Sequence, residues 1–172
     1  MEWKKGNKIL IVFFSIYLAA LTWVVLFKLS APENIYALTR ERVLNLIPFY
    51  DIIAGKYFDK FDMVANIFAF IPFGIYTGIM LRGIKLRHQV IPAFTLSLAY
   101  ESVQYIFAIG VADITDVMMN TLGAFCGLII YRIIFNKLRN ELAARRFVTL
   151  CSAVSILPMF TVLVTASHFY MV

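Results

Sequence analysis

One polar pattern occurs twice in an otherwise apolar chain: Asp59, Asp62 and Asn66, then Asp113, Asp116 and Asn120, both spelling DxxDxxxN. Together the copies use four of the five aspartates in the protein. At 100° per residue the three positions of each copy fall within about 60° of arc, making one polar stripe on one helix face. Ser97, Glu101 and Gln104, at i, i+4 and i+7, make a third stripe. Carboxylates and amides converging in this way can hold a hard divalent cation, grip a polar headgroup, relay a proton, or simply tie helices together. The spacing predicts one shared site inside a helical bundle.

The elements that carry these stripes are membrane spans. Of 172 residues, 62% are hydrophobic and 15% charged, and mean hydropathy is +0.82, which excludes a soluble domain. Five segments are long enough to cross a hydrocarbon core of about 30 Å: Ile9 to Phe27, Met63 to Leu81, Val90 to Phe107, Val117 to Phe135, and Phe147 to Ser167. The expected fold class is all-α, a polytopic membrane bundle of five helices. The first four form two hairpins in a weak parallel repeat, because each DxxDxxxN opens the returning helix of its hairpin. The division expected is residues 1–135 as a membrane domain, including an extracytoplasmic loop over 30–62, and 136–172 as a cytoplasmic linker and fifth helix.

Basic residues set the orientation. Lys4, Lys5 and Lys8 precede the first span, Arg82, Lys85 and Arg87 fill the loop after the second, and Arg132, Lys137, Arg139, Arg145 and Arg146 cluster after the fourth. The N-terminus and these loops are therefore expected in the cytoplasm, the C-terminus outside, and all eight polar positions in the outer part of the membrane. The net charge of +6 follows from these flanks and anionic-lipid contact, with no need of nucleic acid. The first span is too long for a signal-peptide core and reads as an uncleaved anchor. Cys126 and Cys151 lack metal-ligand spacing and read as reduced packing residues.

Between the first two spans, Glu33 to Leu46 suits a short amphipathic helix that Pro48 interrupts. Tyr50, Ile52, Ile53, Tyr57 and Phe58 then suggest a lid in the outer interface, its tyrosines at headgroup level. Pro72 is expected to kink the second span. Gly123 and Gly127 form a GxxxG on the polar side of the fourth, fit for close approach of another backbone, within the chain or in an oligomer.

Each polar residue has an architectural explanation beside the functional one. An Asp at a helix start caps free amides, which accounts for Asp62 or Asp116. Glu101, costly as a charge in the bilayer, must be protonated, paired or facing water, and a hydrogen bond to Asn66 or Asn120 satisfies it without any ligand.

The runs NLIPF at Asn45 to Phe49, NIFAFIPFG at Asn66 to Gly74, ESVQ at Glu101 to Gln104 and DITDVMMNTLGAFCG at Asp113 to Gly127 resemble the VanZ-like family of bacterial membrane proteins. The resemblance covers the first four spans and leaves out the last. It implies a bacterial cytoplasmic-membrane protein of a family named for a member conferring low-level resistance to teicoplanin, an acyl-tailed glycopeptide, with no settled enzymatic activity. It maps the family's motif acids and amides onto Asn66, Glu101, Gln104, Asp113, Asp116 and Asn120. Where members often carry an arginine before the aspartates, this chain has Gly110, Val111 and Ala112.

Three function classes follow. The favoured one is a non-enzymatic envelope protein whose outer-leaflet pocket, formed by Asp59, Asp62, Asn66, Glu101, Gln104, Asp113, Asp116 and Asn120, engages a membrane lipid, a lipid-linked wall precursor or an acyl-tailed glycopeptide. The second is an intramembrane enzyme acting on lipid headgroups, in which Asp62, Glu101, Asp113 and Asp116 bind Mg or Mn. The third is a small transporter or proton relay through Glu101.

Overall fold

The computed structural model describes residues 2–27, 42–55, 60–140 and 142–150, with side chains from Lys8 onward in the first helix. Asp59, Tyr57, Phe58, Cys151 and nearly all of the fifth apolar segment lie outside them. So does most of the stretch expected to form an amphipathic helix.

Four of the apolar segments are helices: α1 (Glu2–Phe27), α3 (Lys60–Met80), α4 (Leu86–Phe107) and α5 (Ile114–Leu138). Three of them are long and apolar enough to cross a membrane, over Lys8–Phe27, Lys60–Met80 and Ile114–Leu138. The 22 residues of α4 reach about 33 Å, also long enough. Its hydropathy is diluted by Gln89, Ser97, Glu101 and Gln104, all buried against its neighbours rather than facing outward. Residues 142–150 are again helical.

Two departures from an all-helical reading occur at one end of the bundle. Val43–Asn45 forms a strand, β1, where the amphipathic helix was expected to continue to Leu46. It pairs in parallel with β2 (Val111–Asp113), in the register Val43 to Val111, Leu44 to Ala112 and Asn45 to Asp113. The physical reason is local. The chain leaves α4 through Ala108 in the left-handed region (φ 53°), then runs extended into Asp113, exposing an edge of unpaired backbone that residues 43–45 satisfy. A single turn, α2 (Tyr50–Ile53), follows β1.

The closest packing is between α3 and α5. A Cβ at Gly123 would overlap the Ile67 carbonyl, one at Gly127 the Ile71 carbonyl, and one at Gly74 the Ala124 carbonyl. Contacts that advance together along both helices make them parallel neighbours, so the two DxxDxxxN helices stand side by side. The GxxxG is thus covered by α3 of the same chain. In a membrane, where lipid tails are as apolar as leucine, this backbone proximity is the available source of packing energy. Against this pair, α1 places Leu10, Tyr17, Leu21 and Val25 into a core with Phe70, Phe73, Tyr76 and Ile79 of α3. Pro72 lies inside α3, which is continuous through it. In the turn it loosens, the Tyr17 hydroxyl donates to the Ala69 carbonyl at 2.6 Å.

Candidate functional site

Asp113 is the hub of the polar end. It closes β2 and is the N-cap of α5, one carboxylate oxygen accepting the Thr115 N–H at 2.6 Å. Its second oxygen accepts from the Asn45 amide at 2.9 Å, its partner across the strand pair. Its own N–H donates to Glu101 Oε2 at 2.8 Å. The Phe49 N–H donates to the Thr115 hydroxyl oxygen at 3.0 Å, a second stitch between the segment after β1 and the start of α5. Three elements that approach here with open backbone groups are therefore closed by one aspartate and its neighbours.

The other expected residues each join a different pair of helices. The Asn66 amide of α3 donates to Asp116 in the first turn of α5 at 2.9 Å. The fully buried Asn120 donates to Ser97 Oγ of α4 at 2.8 Å. Gln104, also buried, donates to the Val25 carbonyl of α1 at 3.1 Å. Asp62 is half-buried in the first turn of α3. Two expectations are corrected. Glu101, 6% exposed, bonds the backbone of Asp113, while Asn66 and Asn120 are engaged by Asp116 and Ser97. The reason is the reversal at Ala108, which returns the Asp113 N–H past the last turns of α4 to Glu101. The residue that caps α5 is Asp113, and Asp116 works one turn on as an acceptor between helices.

Glu101 and Asp113 line a cavity of about 270 Å³ between β1, α4 and the start of α5. Its other walls are largely apolar, from Leu44, Leu46, Leu98, Ile106 and Val117 among others, with the hydroxyl-bearing Ser102 and Tyr105 beside them. Asp62, Asn66, Gln104, Asp116 and Asn120 do not line it. A second cavity, of about 470 Å³, runs between α4 and α5 among Val90, Phe94, Met118, Leu122 and Phe125, and Ile114 and Val117 border both. Among the described residues, no three His, Cys, Asp or Glu side chains converge as metal ligands would, so Asp62, Glu101, Asp113 and Asp116 are not gathered around one point. Two buried amide oxygens, Gln104 Oε1 and Asn120 Oδ1, accept no hydrogen bond among the described residues.

Asn45 and Thr115 were given no role by sequence reasoning. Thr115 sits two residues after the cap in Asp-Ile-Thr, the offset at which a cap finds its N–H. Asn45 opens the NLIPF run, but its partner is 68 residues away, and no periodicity links the two.

Residues 14–136 match the family model described as VanZ/LLP1. Protein VanZ of Enterococcus faecium is 37% identical over 156 residues, covering 90% of each chain. No solved structure is matched. The motifs quoted above fall within the matched span, and the apolar helices agree with a membrane protein. This chain belongs to the VanZ-like family.

Proposed function

We propose that this is a multi-pass protein of the bacterial cytoplasmic membrane whose outer-end cavity engages an amphiphile: a membrane lipid, a lipid-linked wall precursor, or an acyl-tailed glycopeptide of the teicoplanin type. The observation that carries this is the cavity between β1, α4 and α5, largely apolar on its walls and carboxylate-bearing at Glu101 and Asp113. Its location fits. The turn after α3, with Arg82, Lys85 and Arg87, and the end of α5, with Lys137 and Arg139, are at the opposite end of the bundle. By the distribution of positive charge that end is cytoplasmic, which makes the cavity extracytoplasmic. In this reading α4 spans as well, its polar face turned inward, and the fifth apolar segment returns the chain to the outside. Leu44 of β1 and Leu46 just after it wall one side of the cavity, in a segment fastened by Asn45 and Phe49.

The polar network supports binding rather than turnover. Asp113 is held by the Asn45 amide and the Thr115 N–H, an arrangement that fixes its shape and presents acceptors at the cavity. The test is teicoplanin and vancomycin susceptibility in a sensitive Gram-positive host expressing the wild type or Glu101→Gln with Asp113→Asn, the two carboxylates at the cavity, at matched membrane levels. Protection against teicoplanin alone, lost in the variant, is the expected result. Equal protection by both proteins would refute a role for the polar end.

A further inference from the structure

We propose that the two cavities are one binding groove for an amine-headed, phosphate-free acyl amphiphile, with the acyl chain between α4 and α5 and the ammonium head at Asp113. This rests on the reading that the outer-end cavity engages an amphiphile, and narrows its class. Continuity is the first argument. Ile114 and Val117 border both the 270 Å³ cavity at the carboxylate end and the 470 Å³ cavity below it. From Ile114 to Phe125 the groove follows about 16 Å of helix, roughly half of the ~30 Å hydrocarbon core. That is the depth of one leaflet. Only hydrocarbon suits the lower part: of its nine lining residues, Thr121 alone carries a polar side chain, and its hydroxyl is turned to the Val117 carbonyl at 2.7 Å.

Charge complementarity selects the head. Asp113 is half-buried at the upper cavity, and each of its oxygens accepts one bond from a neutral donor, Thr115 N–H or the Asn45 amide. A carboxylate offers about four lone-pair sites, so each oxygen retains one. A third donor that brought positive charge would be held by a charge-assisted bond in a weakly screened setting. No lysine or arginine is among the described residues lining either cavity. A phosphate head would meet Asp113 with like charge and, among the described lining residues, no counter-cation. An ammonium head meets it with the opposite one.

The experiment uses the full-length protein in nanodiscs and two photoreactive probes: a long-chain alkylamine with a diazirine near its tail, and the matching alkyl phosphate. The amine should label residues 118–125 saturably, with the phosphate at least about tenfold weaker. Asp113→Asn keeps a capping oxygen and removes the charge, so it should weaken amine labelling about tenfold and, by lifting the like-charge repulsion, leave the phosphate arm no weaker than before. Leu122→Trp, in the groove wall away from the head, should reduce labelling by either probe. Equal labelling by the two probes in the groove overturns the head assignment while leaving an amphiphile groove in place. Labelling elsewhere, preference for phosphate, or an indifferent Asp113→Asn also overturns it. If neither probe labels saturably anywhere, the amphiphile reading itself falls.

Discussion

Asp113 and Asn45 offer the sharpest test of how the polar end is built. Replacing Asp113 by Ala removes the acceptor of the Thr115 N–H at 2.6 Å and of the Asn45 amide at 2.9 Å. Loss of an aspartate N-cap costs about 1 kcal/mol. A hydrogen bond to a charged group is worth about 1.5–3 kcal/mol in soluble proteins, and side-chain bonds in a membrane bundle average about 0.6, with a maximum near 1.7. Half-buried at the bundle end, this bond belongs near the upper membrane value, so Asp113→Ala should cost about 2–3 kcal/mol and Asn45→Ala about 1.5. The two share one bond, so the double variant should cost about 1–1.5 kcal/mol less than the sum of the singles. Because β1 is only three residues long, release is expected to be local, and amide hydrogen exchange over residues 43–49 is the assay. Exchange should quicken about tenfold in Asn45→Ala and more in Asp113→Ala. Additive effects within about 0.3 kcal/mol, or unchanged exchange in both singles, would mean that the strand pair is not held by this bond.

Other perturbations probe the frame around it. Gly127→Leu should drive α3 and α5 apart and cost more than about 3 kcal/mol in a detergent unfolding titration, since its Cβ alone would overlap the Ile71 carbonyl; a cost below about 1 would place the close approach elsewhere. Ser97→Ala with Asn120→Leu replaces a buried polar pair by apolar groups, removes the unmatched Asn120 oxygen, and should change stability by less than about 1 kcal/mol, whereas Ser97→Ala alone should cost more because it leaves the amide without its acceptor. Ala108→Gly should stabilise by about 1 kcal/mol in the same titration, because this residue ends α4 at φ 53°, where a side chain is disfavoured. Phe135→Leu should cost about 0.5–1 kcal/mol by removing the ring under the Arg82 guanidinium, whose centre lies 4.0 Å from the ring centroid, and Arg82→Lys should recover only part of that contact.

The helices were legible because apolar length is a property of contiguous residues, and Ile9 to Phe27 needs no partner to declare itself. The stripes were legible for the same reason: Ser97, Glu101 and Gln104 share a face wherever the helix goes, and all three are buried. What each stripe bonds to was not, since that depends on which helices become neighbours. Asn66 was a candidate partner of Glu101 until the parallel packing of α3 on α5 set it against Asp116. The β1–β2 pair was invisible in principle. Three residues of Val-Leu-Asn and three of Val-Ala-Asp carry no period, and only the return of the chain at Ala108 gives the first an edge to join.

The two copies of the polar pattern end in unlike roles, and this bears on where a ligand can act. In the second copy Asp113 borders the cavity, while Asp116 and Asn120 are spent on α3 and α4. In the first, Asn66 serves the second copy's Asp116 and is not at the cavity. Among the described members of the pattern, Asp113 is the one that lines this cavity. If most of these side chains held the ligand directly, substituting any of them would impair binding to a similar degree. The geometry instead separates them: Asp116→Asn and Asn120→Leu should act through bundle stability, and stabilising conditions should restore binding, whereas Asp113→Asn, which gives up the bond from Asn45 and about 1–1.5 kcal/mol with it, should weaken binding that stabilising conditions do not restore. Measuring amphiphile labelling and melting on the same samples distinguishes the cases, and recovery of labelling by Asp113→Asn under stabilising conditions would return that residue to the scaffold.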